Sequence, residues 1–444
     1  MSPSRFVVAG LLAGLLSAAG VSHAVTFRPV LMGPLNAVGG FSNQFYGGPA
    51  FDGDTVAVLS LELAGMINPI ESQSLLRVAM PDAPEEVASG SSYGGGGNEI
   101  FLAAAPSIGS GLVAFQTVGQ GELVYDASLG IFAATGGSDT VERVAGIESA
   151  WPAPTPTRIL LQRPSSWGGR IAFVVAEDDA EDARTDHAYV VEPGGDFVEI
   201  AGPGTPGLSE PLLGISEVTL ASDGAVFESV ATDGSMAIHR RAVSSDGALG
   251  PVETWVASGD ALPQGGGTFH SFEGIQIDRA RGDAACFLGG SDDGGAASGI
   301  YVASAGGVTR IADVTTPIPD GEGAFETFWT RCAIDEGVVA FLASGSGGTF
   351  ALYWMPPGGP LAKLVQPGDT LDGAPVLAVD FGSEGLAGGR IAFSATLDRG
   401  TDPVFGPQTQ SFVFVPEADA LAGGVVCWTA LFALRRSRAT GRRS

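Results

Sequence analysis

The hexapeptide GGRIAF runs from Gly168 to Phe173 and recurs unchanged from Gly388 to Phe393, 220 residues further on. Gly-Gly supplies a tight reversal and Ile-Ala-Phe opens a short apolar strand, so each copy reads as a turn feeding a strand. Five more segments align on it: DGDTVAV (Asp52 to Val58), GSGLVAF (Gly109 to Phe115), ASDGAVF (Ala221 to Phe227), RARGDAAC (Arg279 to Cys286) and DEGVVAF (Asp335 to Phe341). The positions matching the alanine are Ala57, Ala114, Ala172, Val226, Ala285, Ala340 and Ala392, in steps of 57, 58, 54, 59, 55 and 52. The chain is therefore a sevenfold repeat, and the two exact copies stand four repeats apart.

Within most periods a second strand follows, as in GIFAA from Gly130, AYVV from Ala188, GIYVA from Gly299, LYWM from Leu352 and SFVFV from Ser411. A Gly-Gly turn then leads to a third strand, such as FVEIA from Phe197 or AKLV from Ala362, and a loop leads to a fourth apolar stretch, such as FEGIQI from Phe272. Four short antiparallel strands in a period near 55 predict an all-β fold, a seven-bladed β-propeller of four-stranded blades spanning residues 25–414. A parallel β-helix has a much shorter coil, and the 3.6-residue apolar pattern of helical repeats is absent. Alanine and phenylalanine are adjacent in the motif strand, so they point to opposite faces and both read as packing. The last period lacks a third strand. FRPVLM at Phe27 to Met32 resembles the segment from Lys363, so an N-terminal strand is expected to complete the final blade and close the ring.

Composition agrees with a large folded body: 45% hydrophobic residues in 444 exclude disorder, while Gly 67 and Pro 28 leave little room for long helices. The net charge of −27 repels phosphate backbones, so nucleic acid is not an expected partner.

Both ends read as addresses. Residues 1–24 carry Arg5, an apolar run, and Ser22 and Ala24 at the small-residue positions that signal peptidase requires, with cleavage expected after Ala24. Residues 415–444 hold Pro416-Glu417, an apolar run from Ala420 to Leu434 expected as a helix, and RRSRATGRR with Arg435, Arg436 and Arg438. As a helix that run spans about 22 Å against a hydrocarbon core of roughly 30 Å, marginal for a permanent span. The arginines would hold it cytoplasmic side in, giving transient inner-membrane association. This tail resembles the PEP-CTERM sorting signals processed by exosortase-type membrane proteases, although Ala418 replaces the second proline and Gly423-Gly424 is shared with a related Gly-Gly signal class. The repeats resemble the NxxGxxAF-type repeats of secreted bacterial proteins, with Asp52, Gly109, Trp167, Ala221 or Asp335 at the Asn position. The resemblance implies a cell-surface or extracellular location and no particular activity.

Candidate chemistry is thin. GSSYG (Gly90 to Gly94) fits a serine-nucleophile elbow around Ser92, but Gly95, Gly96 and Gly97 follow where a helix should begin. GPGTPG from Gly202 fits a dinucleotide-binding turn, yet prolines interrupt it. His187, His239 and His270 lack metal-ligand spacing. The acidic run from Glu177 to Asp186 is an oxygen-rich hairpin tip that calcium alone would suit; without the EF-hand order it reads as solvated, and no cofactor or metal is expected. Cys286 and Cys332 occupy apolar strand positions and are expected as buried free thiols, with Cys427 in the tail. No residue emerges as catalytic. The expected function is an exported, non-catalytic binding or structural module, with extracellular polysaccharide or surface proteins as partners. The alternative is a polysaccharide-acting enzyme using carboxylates on one face.

Overall fold

The computed structural model describes residues 27–416 apart from segments 33–35, 38–41, 54, 64–71, 80–84, 90–99, 103–105, 120–129, 136–140, 147–157, 162, 179–183, 209–210, 265–266, 292–297, 349 and 403–405. Among the described residues, seven sheets in chain order, called here blades I to VII, each have a core of four strands, and a two-stranded sheet joins Leu386–Ala387 to Arg390–Ile391. Blade IV is a simple case: Leu212–Ala221, Gly224–Ala231, Met236–Val243 and Leu249–Ala257 lie side by side in chain order, all antiparallel. Blades V and VI repeat it from Phe269–Ile277 and Thr327–Asp335, while blade I runs from Ser42–Asp52 to Glu85–Ser89, blade II from Ile100–Leu102 to Val141–Gly146 and blade III from Arg158–Leu161 to Val198–Ala201. In blade VII the order runs from Ala374–Asp380 through Phe393–Asp402 and Gly406–Pro416 to Phe27–Met32.

The inner strand segments contact one another in a cycle, from Ser42–Asp52 through the short strands Ser107–Gly109 and Ser165–Trp167 and the first strands of blades IV, V and VI to Leu386–Ala387, a short strand paired with Arg390–Ile391 that returns to Ser42–Asp52. Those strands are innermost. GGRIAF therefore begins the second strand of a sheet. FEGIQI, expected as the fourth strand of its own period, instead pairs forward, with Ile277 opposite Ala285 and Gln276 opposite Cys286. The sheet boundary falls after the third strand because a long loop separates the third and fourth apolar stretches, whereas a tight turn joins the fourth to the next motif strand.

The core lies in the seams between blades. Ala172 packs into the seam of blades III and IV, and its neighbour Phe173 into that of II and III. Val226 and Phe227 split in the same way between the IV–V and III–IV seams. Each buried phenylalanine contributes about 1.5–3 kcal/mol through removal of its surface from water. Close approach of the inner strands needs glycine at particular points. A Cβ on Gly274 (φ +61) would stand 1.6 Å from the Thr330 carbonyl oxygen of the next blade, and one on Gly48 (φ +70) 2.1 Å from the Gly382 nitrogen.

Cys286 and Cys332 form a disulfide across the V–VI seam, with Cα atoms 6.2 Å apart, so the expectation of free thiols is overturned. Both face the same apolar seam, and adjacent blades bring together strands separated by 46 residues. Among the described residues no helix occurs, and none is long and apolar enough to cross a membrane.

Candidate functional site

The tight turns joining first and second strands converge on the axis, and the turn of blade V carries Arg279. Its side chain is 1% exposed. Nη1 donates to the Ile108 carbonyl (2.7 Å) and to Glu384 Oε2 (3.4 Å), while Nη2 donates to the Phe51 (2.6 Å) and Leu386 (3.0 Å) carbonyls. The guanidinium lies 5.3 Å from the ring centre of Trp167. Its own carbonyl accepts from Ser222 N (3.2 Å), and the next amide, Ala280 N, donates to Asp335 Oδ1 (3.3 Å). One short stretch thus touches all seven blades. A planar, permanently charged fork with several donors suits this convergence of carbonyls better than lysine's single ammonium.

Glu384 answers it from blade VII. Its Oε1 accepts from Ser107 Oγ (2.8 Å) and its Oε2 from Ile108 N (3.2 Å), and its carbonyl accepts from Phe51 N (2.9 Å). Around the axis, side chains of one blade accept from the backbone of the next. Ser107 Oγ takes Ser166 N (2.7 Å), Ser165 Oγ takes Leu220 N (3.0 Å), and Thr219 Oγ1 takes Ile277 N (3.3 Å). Asp278 takes Glu336 N (3.1 Å) and Gly337 N (2.9 Å), and Asp335 Oδ2 takes Gly388 N (2.6 Å). Inner strands have one unpaired edge, and this ring of acceptors satisfies amides that would otherwise be buried without partners. Burial raises the pKa of Asp335, opposed by the nearby Arg279 charge.

Further along the inner strands, Arg163 Nη1 donates to Ser383 Oγ (3.0 Å), and Arg331 Nη1 meets Asp380 Oδ1 at 3.0 Å. Glu217 and Glu228 lie directly opposite each other in blade IV. Glu217 Oε2 accepts from Ile275 N (3.0 Å); burial raises its pKa, with Arg163 opposing. Burial pushes Glu228 up to about 8, opposed by the Ser216 hydroxyl, which donates to its Oε2. Chemically, the axis can hold blades in register, while burial in blade IV favours the protonated forms of Glu217 and Glu228.

The sequence candidates lie elsewhere. Ser92 and Cys427 fall outside the described residues, as do Ala24, Glu417, Arg435, Arg436 and Arg438, while Pro416 ends the last described strand. Gly202 opens a loop that leads to the strand Leu212–Ala221 and not to a helix, its N–H donating to Thr205 Oγ1 (3.0 Å). His187 Nδ1 pairs with Glu199 Oε1 (3.0 Å), and His239 is held between Ser229 (2.7 Å) and Thr254 (3.1 Å) with burial pushing it down to about 4. His270 is exposed on the first strand of blade V. In the acidic run, Asp186 is buried and accepts from Ile215 N (3.0 Å), a structural link between blades III and IV, while the tip 179–183 lies outside the described residues. Among the described residues no group of three metal-ligating side chains comes together. Sequence reasoning missed the axial set. Its signal was present: hydroxyl residues recur at Ser107, Ser165 and Thr219 with the repeat period, and an arginine stands in one turn of an acidic chain.

Seven four-stranded antiparallel sheets around a ring of first strands define a seven-bladed β-propeller. The family of unknown function DUF7453 matches residues 167–424, more than half of the chain, and the chain belongs to that family. No curated protein matches. Among solved structures, the acylaminoacyl peptidase of Pyrococcus horikoshii is similar at 13% identity and TM-score 0.47, over 82% of this chain and 50% of that one. This chain therefore spans about half of that peptidase. The β-propeller domain of the Trilobed protease from Pyrococcus furiosus is similar at 10% identity and TM-score 0.46, over 84% and 94%. An α-L-arabinofuranosidase of Fusarium graminearum is similar at 10% identity and TM-score 0.35, over 69% and 91%.

Proposed function

We propose that the chain is an exported propeller, held at or released from the cell surface, that acts as a non-catalytic binding or structural module. The observation that carries this reading is the consumption of the axial charges. Arg279, Glu384, Asp278 and Asp335 are buried and already bonded, mostly to backbone, so they are clamps with no free face for a substrate. The disulfide supports passage through an oxidising compartment. In this reading signal peptidase removes residues 1–24 after Ala24. The arginines Arg435, Arg436 and Arg438 hold the tail in the inner membrane until an exosortase-type protease cuts near Pro416-Glu417, and the strand Phe27–Met32 closes blade VII.

The enzyme alternative draws on one observation, two carboxyls, Glu217 and Glu228, facing each other in blade IV with both pKa values raised by burial. Glu228 is only 3% exposed and bonded to Ser216, which suits a seam group better than an acid that must reach a glycosidic oxygen. The test is release of reducing ends from laminarin, dextran and galactomannan by the purified chain and by Glu228→Gln. The reading expects none from either; release by the wild type that Glu228→Gln abolishes overturns it.

A further inference from the structure

Three large apolar side chains stand exposed among the described residues: Leu213 at 49%, Trp329 at 42% and Leu377 at 46%. All three sit on first strands, and each occupies a break in the strand register. Leu213 is skipped between the pairs Leu212–Ala231 and Gly214–Val230, Leu377 between Val376–Leu397 and Ala378–Thr396, and Trp329 lies in the break between Phe328–Ala343 and Cys332–Phe341. An extra residue with no cross-strand partner is how a sheet re-aims a side chain that packing would otherwise bury. Repetition of that device on the inner strands of blades IV, VI and VII marks one end of the axis.

That end is the one remote from Arg279. Trp329 stands six residues before Asp335 at the clamped turn, roughly 15 Å along the strand once the register break is allowed for. Its indole is fixed by a T-shaped contact with Phe350, ring centres 5.3 Å apart. Two residues beyond it on its strand, Arg331 bonds Asp380 at 3.0 Å, and Asp380 lies three residues beyond Leu377. The partly exposed Arg331–Asp380 bridge therefore ties together the two strands that present Trp329 and Leu377.

We infer that this rim of blades VI and VII is a binding site for a neutral glycan, with a sugar ring stacked on Trp329, its apolar edge on Leu377, and its hydroxyls on the Arg331–Asp380 pair. A fixed indole offers a flat apolar surface at low entropic cost. The ion pair is neutral overall and presents donors and acceptors side by side, the pattern vicinal hydroxyls need. A body of net charge −27 disfavours an anionic polymer. The inference deepens the binding-module reading above and rests on it.

The test is affinity electrophoresis of the full-length chain in gels containing laminarin, dextran or galactomannan, with alginate as the anionic comparison. At least one neutral polymer is expected to retard the wild type, and alginate not to. Trp329→Ala is expected to weaken that retardation about tenfold, and Leu377→Ser about threefold, with thermal midpoints lowered by at most a few degrees since both side chains are partly exposed. Absence of retardation by all three neutral polymers, retardation by alginate alone, or wild-type retardation of both variants overturns the site. So does loss of a dimer on Trp329→Ala without glycan binding, which would make the rim an interface between copies. Release of reducing ends would overturn the non-catalytic reading and leave the glycan site standing, so the two failures are distinct.

Discussion

Arg279 of blade V and Glu384 of blade VII meet across the axis at 3.4 Å, at 1% and 2% side-chain exposure. Two charges so enclosed are costly to desolvate, and what makes the arrangement tolerable is that neither depends on the other alone: three carbonyls share Arg279, and a hydroxyl and an amide share Glu384. The pair therefore specifies which turns meet at the centre. A ring of seven similar sheets, each free to slip against its neighbours, gains a unique register from one asymmetric contact.

The disulfide predicts a thiol count. Denatured, unprocessed full-length chain under non-reducing conditions should show one titratable thiol, Cys427, out of three cysteines. Reduction should lower stability by about 4 kcal/mol, from the loop entropy released when a link spanning 46 residues is opened. Three titratable thiols would contradict the bridge.

Glu228 predicts a pH dependence. Burial pushes its folded pKa from 4.5 up to about 8, so its contribution to stability is fully present below 4.5 and is lost as pH rises through about 8. Glu217 shifts in the same direction. His239 works oppositely: pushed from 6.5 down to about 4, it contributes above 6.5 and its contribution is lost as pH falls through about 4. Glu228→Gln should therefore flatten the decline in melting temperature between about pH 5 and pH 9 while leaving the acid limb intact. An unchanged alkaline decline would show that Glu228 ionises freely.

Much of this architecture was legible because strand periodicity is local. The Ala-Phe alternation of GGRIAF indicated two-sided packing, and Ala172 and Phe173 do enter different seams. The phase of the sheets was not legible, since FEGIQI is equally apolar whichever neighbour it joins. Nor was the Cys286–Cys332 bridge, because facing positions on adjacent blades depend on seam register, which no short window contains. Arg279 escaped for the same reason: its partners Phe51, Ile108, Glu384 and Leu386 are up to 228 residues away.

Closure of blade VII by the N-terminal strand predicts a large effect from a small deletion. Removing Val25 to Phe41 strips Phe27–Met32 and Asn36–Ala37 from the strand Gly406–Pro416. The truncated chain should melt well below the full-length one and show faster proteolysis of residues 393–416, whose edge is opened. Equal midpoints would refute closure.

The tail predicts a processed terminus. C-terminal mass spectrometry of native material should find an end close to Glu417, and neutral residues in place of Arg435, Arg436 and Arg438 should impair that cut. An intact Ser444 on membrane-bound protein would leave a tethered propeller instead.

The most direct test of the axial clamp is a double-mutant cycle on its two charges, using Arg279→Met, Glu384→Gln and the pair, each followed by denaturant unfolding. Each single change strands a buried charge or its donors and should cost about 3–5 kcal/mol, while the double change should cost at least about 2 kcal/mol less than the sum. Single losses within about 1 kcal/mol of the wild type, or strictly additive ones, would contradict the claim that Arg279 and Glu384 hold the ring together at its centre.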